Sequence, residues 1–70
     1  MKLSARNQFK GTVTAIDEGA VNGIVKIDIG SGNIVSATIS MSAIKELDLK
    51  VGSSAYAIIK ATSVMVGVDH

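Results

Sequence analysis

The sequence lacks cysteine and proline, and only two of its 70 residues, Phe9 and Tyr56, are aromatic. Without cysteine the chain has neither a disulfide framework nor a zinc–thiolate site. The single histidine is the last residue, His70. Asp17 and Glu18 are adjacent acids in a predicted turn, where such pairs are usually just solvated. With no cysteine nucleophile, no histidine base before the end and no clustered acid–base pair, the sequence argues against an enzyme.

The sequence also has no large excess of positive or of negative charge, since its formal net charge is only +1 at pH 7. A nucleic-acid-binding protein usually carries a basic stripe, or aromatic side chains on which bases stack, and this sequence has neither. No apolar run approaches the ~20 residues of a membrane-spanning helix. The start of the chain lacks the apolar core of a signal peptide. We therefore expect a cytoplasmic protein without nucleic-acid or membrane partners.

The chain is short for its hydrophobicity. Seventy residues form one domain, residues 1–70, and a chain of this size buries only roughly 60% of its unfolded surface. Yet 47% of the residues are hydrophobic. The cross-links that stabilise many small proteins, disulfide bonds and zinc–thiolate sites, are absent. Association with further copies is the remaining way to hide this surface, so the sequence predicts an oligomer.

Alternating apolar and polar residues predict strands at residues 8–16 and 21–29. A third strand, with apolar residues on both faces, is predicted at residues 33–39, and two short apolar strands are predicted at residues 55–59 and 64–68. Gly11 inside the first strand indicates a bulge or a close backbone approach. Residues 30–33, Gly-Ser-Gly-Asn, are typical of a hairpin turn. Helical character is confined to residues 40–49, with Ser40 or Ser42 as the N-cap. This order predicts an all-β fold, a five-stranded OB-like barrel with one short helix between the third and fourth strands.

A group of hydrogen-bond donors lies where the last two predicted strands meet. Lys60 is followed closely by Thr62 and Ser63, and no carboxylate occurs between Asp48 and Asp69. Cations and hydroxyls without acids suit a ligand that only accepts hydrogen bonds, such as an oxyanion. The alternative is that Lys60 extends into water from the end of an apolar strand.

A second group of donors lies near the start of the chain. In an extended segment Ser4 and Arg6 face the same way, and the planar guanidinium of Arg6 suits an oxyanion. Arg6 can equally pair with Glu46 or Asp48 across an interface. Ser40, at the end of the third strand, is a further hydroxyl, although such serines are more often turn or cap residues than ligands.

These stretches closely resemble the molbindin (Mop) family of small molybdate-binding proteins, and the resemblance covers essentially the whole chain. The matching stretches are Ser4-Ala5-Arg6-Asn7-Gln8, Gly11-Thr12-Val13, Gly19-Ala20-Val21-Asn22, Leu49-Lys50-Val51-Gly52 and Lys60-Ala61-Thr62-Ser63-Val64-Met65. The Ser-Ala-Arg-Asn start combined with the Lys-Ala-Thr-Ser-Val end is specific, whereas neither half alone is convincing. The ending with His70 departs from the family pattern.

The resemblance implies a homohexamer, a trimer of dimers, that binds molybdate or tungstate between subunits and stores or buffers it. It implies no organic cofactor and no direct protein ligands to a metal cation. The implied main site takes Ser4 and Arg6 from one subunit, and Ser40, Lys60 and the backbone N–H of Ala61 from another. A second implied site uses Gly19, Ala20, Val21 and Asn22 with Thr62 and Ser63. The alternatives are an OB-like nucleic-acid-binding module and a purely structural oligomerisation module.

Overall fold

The structure is a computed structural model and describes residues 1–69. Its elements are β1 (Asn7–Asp17), β2 (Asn22–Asp28), β3 (Ile34–Ser40), the helix α1 (Met41–Glu46), β4 (Ser54–Ile59) and a 3₁₀ turn (Ala61–Ser63). The four strands form one antiparallel sheet in the order β3-β2-β1-β4. The predicted mostly-β chain with one short helix is thus confirmed, as a curled sheet that forms half of a barrel.

The curl of the sheet comes from β1, which pairs with two different strands along its length. Its first part pairs with β4 and its second part with β2, and Thr12 belongs to both pairings. Gly11 approaches β2 so closely that an added Cβ atom would lie 2.3 Å from the carbonyl oxygen of Asp28. The close approach predicted for Gly11 is therefore confirmed, while the register irregularity lies slightly further on, between Val13 and Ala15.

The turn between β2 and β3 has the predicted hairpin geometry. Gly30, Ser31 and Gly32 all adopt positive φ angles, of 110°, 53° and 77°. Such angles are cheap for glycine and costly for most other residues. The Asn33 N–H donates to the Gly30 carbonyl at 2.9 Å, and the Gly30 N–H donates to Asp28 Oδ1 at 2.8 Å. The turn fixes the pairing of β2 with β3.

The helix α1 closes one end of the half-barrel. Its N-cap is Ser40, whose Oγ accepts a hydrogen bond from the Ala43 N–H at 3.1 Å. Ile44, which is 5% exposed, packs over Gly23 of β2, where an added Cβ atom would lie only 2.7 Å from Ile44 Cδ1. Because Gly23 has no side chain, Ile44 of the helix can pack directly against the backbone of β2. The predicted helix and its predicted cap are both confirmed.

The buried core is small. It consists of Val13, Val25, Ile27, Ile44 and Ala57, with half-buried residues packed around them. Many large apolar side chains are exposed, among them Tyr56 and Ile58 on β4 and Leu47 and Val51 beyond α1. No helix within residues 1–69 is long and apolar enough to cross a membrane.

The prediction of a fifth strand at residues 64–68 is wrong for the single chain. Residues 64–69, here called the tail, have no regular secondary structure and are exposed. A strand needs a hydrogen-bonding neighbour, and the tail does not pair with either edge strand of its own sheet. Between these edges, β3 and β4, lies an open apolar groove of ≈ 680 Å³, and the tail contributes none of its lining residues.

Candidate functional site

Two of the predicted oxyanion ligands, Arg6 and Lys60, lie at the same end of the β1–β4 pairing, at the start of β1. The β1–β4 pairing ends with Asn7 opposite Ile59. Arg6 directly precedes this pair and Lys60 directly follows it, so the two cations lie at the same corner of the sheet. Both side chains are exposed. We call them the Arg6–Lys60 pair.

The segment before β1 does not have the extended conformation predicted from the sequence. The chain bends at Ser4 and at Arg6, so simple alternation does not place these two side chains on one face. A physical cause is visible in Gln8, whose side-chain Nε2 donates to the Ala5 carbonyl at 2.7 Å and turns the chain back on itself. Ser4 nevertheless remains two residues from Arg6, at the same corner of the sheet.

The 3₁₀ turn supplies backbone donors beside Lys60. Lys60 is its N-cap, and the Ser63 N–H donates to the Lys60 carbonyl at 2.9 Å. The first N–H groups of a helical turn have no acceptor within the turn. The N–H groups of Ala61 and Thr62 therefore have no acceptor within the turn and can donate to an external acceptor beside Lys60.

Ser40 lies at the other end of β1 in the same chain. It pairs with Asn22 at the start of β2, near Asp17 where β1 ends. The 11 residues of β1 span up to roughly 36 Å at about 3.3 Å per residue. One chain therefore does not bring Ser40 to Lys60, although both were assigned to one subunit by the family resemblance.

The Ser40 hydroxyl is also engaged locally. Besides capping α1, its Oγ lies 3.1 Å from the Oγ of Ser42, and either oxygen can be the donor. As a cap it accepts a hydrogen bond, which leaves its own proton available for Ser42 or for an external acceptor.

The second implied site is likewise divided between two ends of the sheet. Residues 19–21 lie in the connection from β1 to β2 and Asn22 begins β2, whereas Thr62 and Ser63 follow Lys60 at the opposite end. A surface depression at this turn is also lined by the acids Asp17 and Glu18. These carboxylates would repel an anion unless a cation of another copy lies nearby.

The charge pattern around the Arg6–Lys60 pair favours an anion. The one ion pair among residues 1–69 joins Lys50 Nζ to Asp48 Oδ1 at 3.6 Å, and both side chains are largely exposed. Neither Arg6 nor Lys60 therefore forms a salt bridge with a carboxylate of residues 1–69 of its own chain. The same residues contain no cluster of acids or histidine suited to a metal cation.

The sequence did not single out Asn7 and Gln8 as functional residues. Asn7 is half-buried, and its side-chain Nδ2 donates to the Ile59 carbonyl at 3.1 Å. The contact of Asn7 was not visible in the sequence, because Ile59 is 52 residues away in the chain. Gln8 bonds to Ala5, only three residues away, but this bond depends on a bend that the predicted extended segment did not include.

Comparison with known proteins agrees with this fold. The sequence profile of the TOBE domain matches residues 3–66. A "probable molybdenum-pterin-binding protein" of Haemophilus influenzae is 67% identical over 69 residues, which cover 99% of this chain and 100% of that protein. The chain thus contains a TOBE domain over most of its length.

Similarity to solved structures identifies the family among proteins that contain this domain. MopII from Clostridium pasteurianum has a TM-score of 0.90 at 37% identity, and the match covers 96% of this chain and all of MopII. ModG, described as a cytoplasmic molybdate-binding protein, has a TM-score of 0.93 at 43% identity, over 99% of this chain and 49% of ModG. The chain belongs to the Mop (molbindin) family.

Proposed function

We propose that this protein binds molybdate, or the similar tungstate, and holds it as a cytoplasmic store or buffer. The observation that carries the proposal is the Arg6–Lys60 pair. Its two cations lie at one corner of the sheet, and neither forms a salt bridge with a carboxylate of residues 1–69. The names of relatives support it, since ModG is described as a cytoplasmic molybdate-binding protein.

The chemistry of the ligand matches these donors. Molybdate is a tetrahedral dianion whose oxygens only accept hydrogen bonds at neutral pH. Charge-assisted bonds from Arg6 and Lys60 and backbone bonds from the 3₁₀ turn offset its charge. A cage of fixed donors without a carboxylate binds such an ion with little reorganisation. The size of the cage then separates molybdate from the smaller sulfate.

The complete site lies between two copies of the chain. Ser40 and the Arg6–Lys60 pair occupy opposite ends of β1, so a site that contains all three residues draws on two subunits. The same holds for a second site built from residues 19–22 with Thr62 and Ser63. The family resemblance also implies a site shared between subunits, but it divides the residues differently: it takes Arg6 from one subunit and both Ser40 and Lys60 from another.

Assembly also completes the barrel. The apolar groove between β3 and β4 has the position of a missing strand, and the tail carries exposed apolar residues, with Met65 at 93% and Val66 at 91% exposure. The tail of one copy fills the groove of another and supplies the fifth strand of an OB-like barrel. Repetition of such contacts with further apolar contacts builds a homohexamer, a trimer of dimers.

Binding and assembly are then linked. A ligand that is bound only by the assembled form stabilises that form by mass action. Molybdate should therefore strengthen the oligomer, and dissociation of the oligomer should release the ion.

The proposal is tested by replacing each cation. A hydrogen bond from a charged group contributes about 1.5–3 kcal/mol, so Arg6→Ala and Lys60→Ala should each weaken molybdate binding by roughly 10- to 100-fold. Lys10→Ala is the matched control, because Lys10 is an exposed cation on β1, the strand that follows Arg6. Titration calorimetry measures all three variants. Unchanged affinity in both Arg6→Ala and Lys60→Ala would overturn the proposal.

A further inference from the structure

We propose that the side-chain amides of Asn7 and Gln8 are positioning residues that hold Arg6 beside Lys60. This inference rests on the proposed function, because it concerns the geometry of the same oxyanion site. Neither amide needs to touch the ion. Each holds a part of the backbone from which a ligand projects.

Asn7 ties together the two strands that carry the cations. It is the first residue of β1, and its Nδ2 donates to the carbonyl of Ile59, the last residue of β4, at 3.1 Å. The bond is half-buried, so water competes with it less than with a surface bond. It joins the residue after Arg6 to the residue before Lys60, at the point where strand ends normally fray.

Gln8 shapes the segment on the other side of Arg6. Its Nε2 donates to the Ala5 carbonyl at 2.7 Å. Residues 1–6 lie outside the strands, and unsupported chain ends are usually poorly ordered. The bond from Gln8 closes a loop around Arg6, and the bend at Arg6 lies within this loop. The backbone of Arg6 is thereby held from both sides.

Such support matters because arginine and lysine are flexible. Ordering a long charged side chain on binding costs conformational entropy, and a site that is already ordered binds more tightly. The two amides are uncharged, so they leave the electrostatic attraction of the site unchanged. Their loss should therefore weaken binding through geometry alone.

The test replaces each amide by an apolar side chain of similar size, as Asn7→Leu and Gln8→Met. A single net hydrogen bond changes an equilibrium on the order of fivefold, and each variant should weaken molybdate binding by about that factor. Thr14→Val is the control, since Thr14 Oγ1 donates to the Lys26 carbonyl at 3.4 Å and links β1 to β2 elsewhere in the sheet. Its affinity should match that of the parent protein.

A double-mutant cycle with Arg6→Ala separates positioning from general destabilisation. If the amides act through Arg6, Asn7→Leu and Gln8→Met should lose most of their effect once Arg6 is alanine. Fully additive losses in affinity, or unchanged affinity in both single variants, would overturn the inference while the parent protein still binds molybdate. Absence of binding by the parent protein would instead overturn the proposed function, and this inference with it.

Discussion

At the scale of single residues, the central feature is that Arg6 and Lys60 flank the last residue pair of the β1–β4 pairing, Asn7 and Ile59, and that neither forms a salt bridge with a carboxylate of residues 1–69. Like charges at one corner of a sheet repel each other, most strongly at low salt. Proteins usually place an acid at such a point. Here the corner of the sheet is left cationic, which favours binding of an anion over stability of the empty chain.

This arrangement predicts that removing one cation stabilises the protein in the absence of anion. Lys60→Met keeps the apolar stem of lysine and removes its charge, so the melting temperature of the anion-free variant should rise slightly above that of the parent. Added sodium chloride should narrow the difference, because salt screens exposed charges. Thermal denaturation with and without salt measures both effects. A lower melting temperature for Lys60→Met at low salt would contradict the expected repulsion.

At the scale of elements, Ser40 caps α1 and is also proposed to bind the anion, and substitutions can separate these two roles. Loss of an N-cap costs about 1 kcal/mol, so Ser40→Ala should lower the free energy of unfolding by roughly that amount and also weaken molybdate binding. Ser40→Asn keeps a capping side chain but replaces the hydroxyl, so it should keep stability while binding falls. Urea denaturation and titration calorimetry measure the two properties.

Ser42→Ala serves as the control for Ser40, because Ser42 contacts Ser40 Oγ but does not cap the helix. Its unfolding free energy should stay close to that of the parent. Equal molybdate affinity in Ser40→Ala and the parent would show that Ser40 acts only as a cap.

Most elements could be predicted from the sequence because they depend on local patterns. The strand alternation, the turn at residues 30–33 and the cap at Ser40 each lie within a few residues of one another. The strand at residues 64–68 was predicted for the same reason, and that prediction was wrong because a strand also needs a partner. For the site, the residues themselves indicated only two groups of hydrogen-bond donors, and the family resemblance supplied the named set of ligands and their division between subunits. The approach of Arg6 to Lys60 and the separation of Ser40 follow from the register of distant strands, which local patterns do not determine.

At the scale of the whole molecule, the single chain is an incomplete barrel with an exposed apolar tail. The groove and the tail complement each other, since one offers two unpaired strand edges and the other an unpaired apolar segment. The exposed apolar residues on β4 extend this surface. A monomer would leave this surface in water, so the molecule should exist as an assembly.

The assembly can be tested with one charge in the tail. Val66→Lys should leave the fold of the chain intact, because Val66 is 91% exposed there, but should disrupt docking of the tail into the groove of another copy. Val51→Lys is the matched control at another exposed valine, 67% exposed and outside the groove and the tail. Analytical ultracentrifugation should give a smaller species for Val66→Lys and the parent mass for Val51→Lys. A parent-sized Val66→Lys protein would rule out tail docking as the basis of assembly.

The most direct test of molybdate binding is calorimetric titration of the purified, anion-free protein with molybdate, with sulfate and phosphate titrated in the same buffer. The proposed site predicts tight molybdate binding, and a cage fitted to molybdate predicts a much smaller heat from sulfate; the stoichiometry would count the sites in the assembly. Equal heats from all three anions would reduce Arg6 and Lys60 to a generic cationic surface. No heat from any anion would contradict oxyanion binding altogether and leave a structural oligomerisation module.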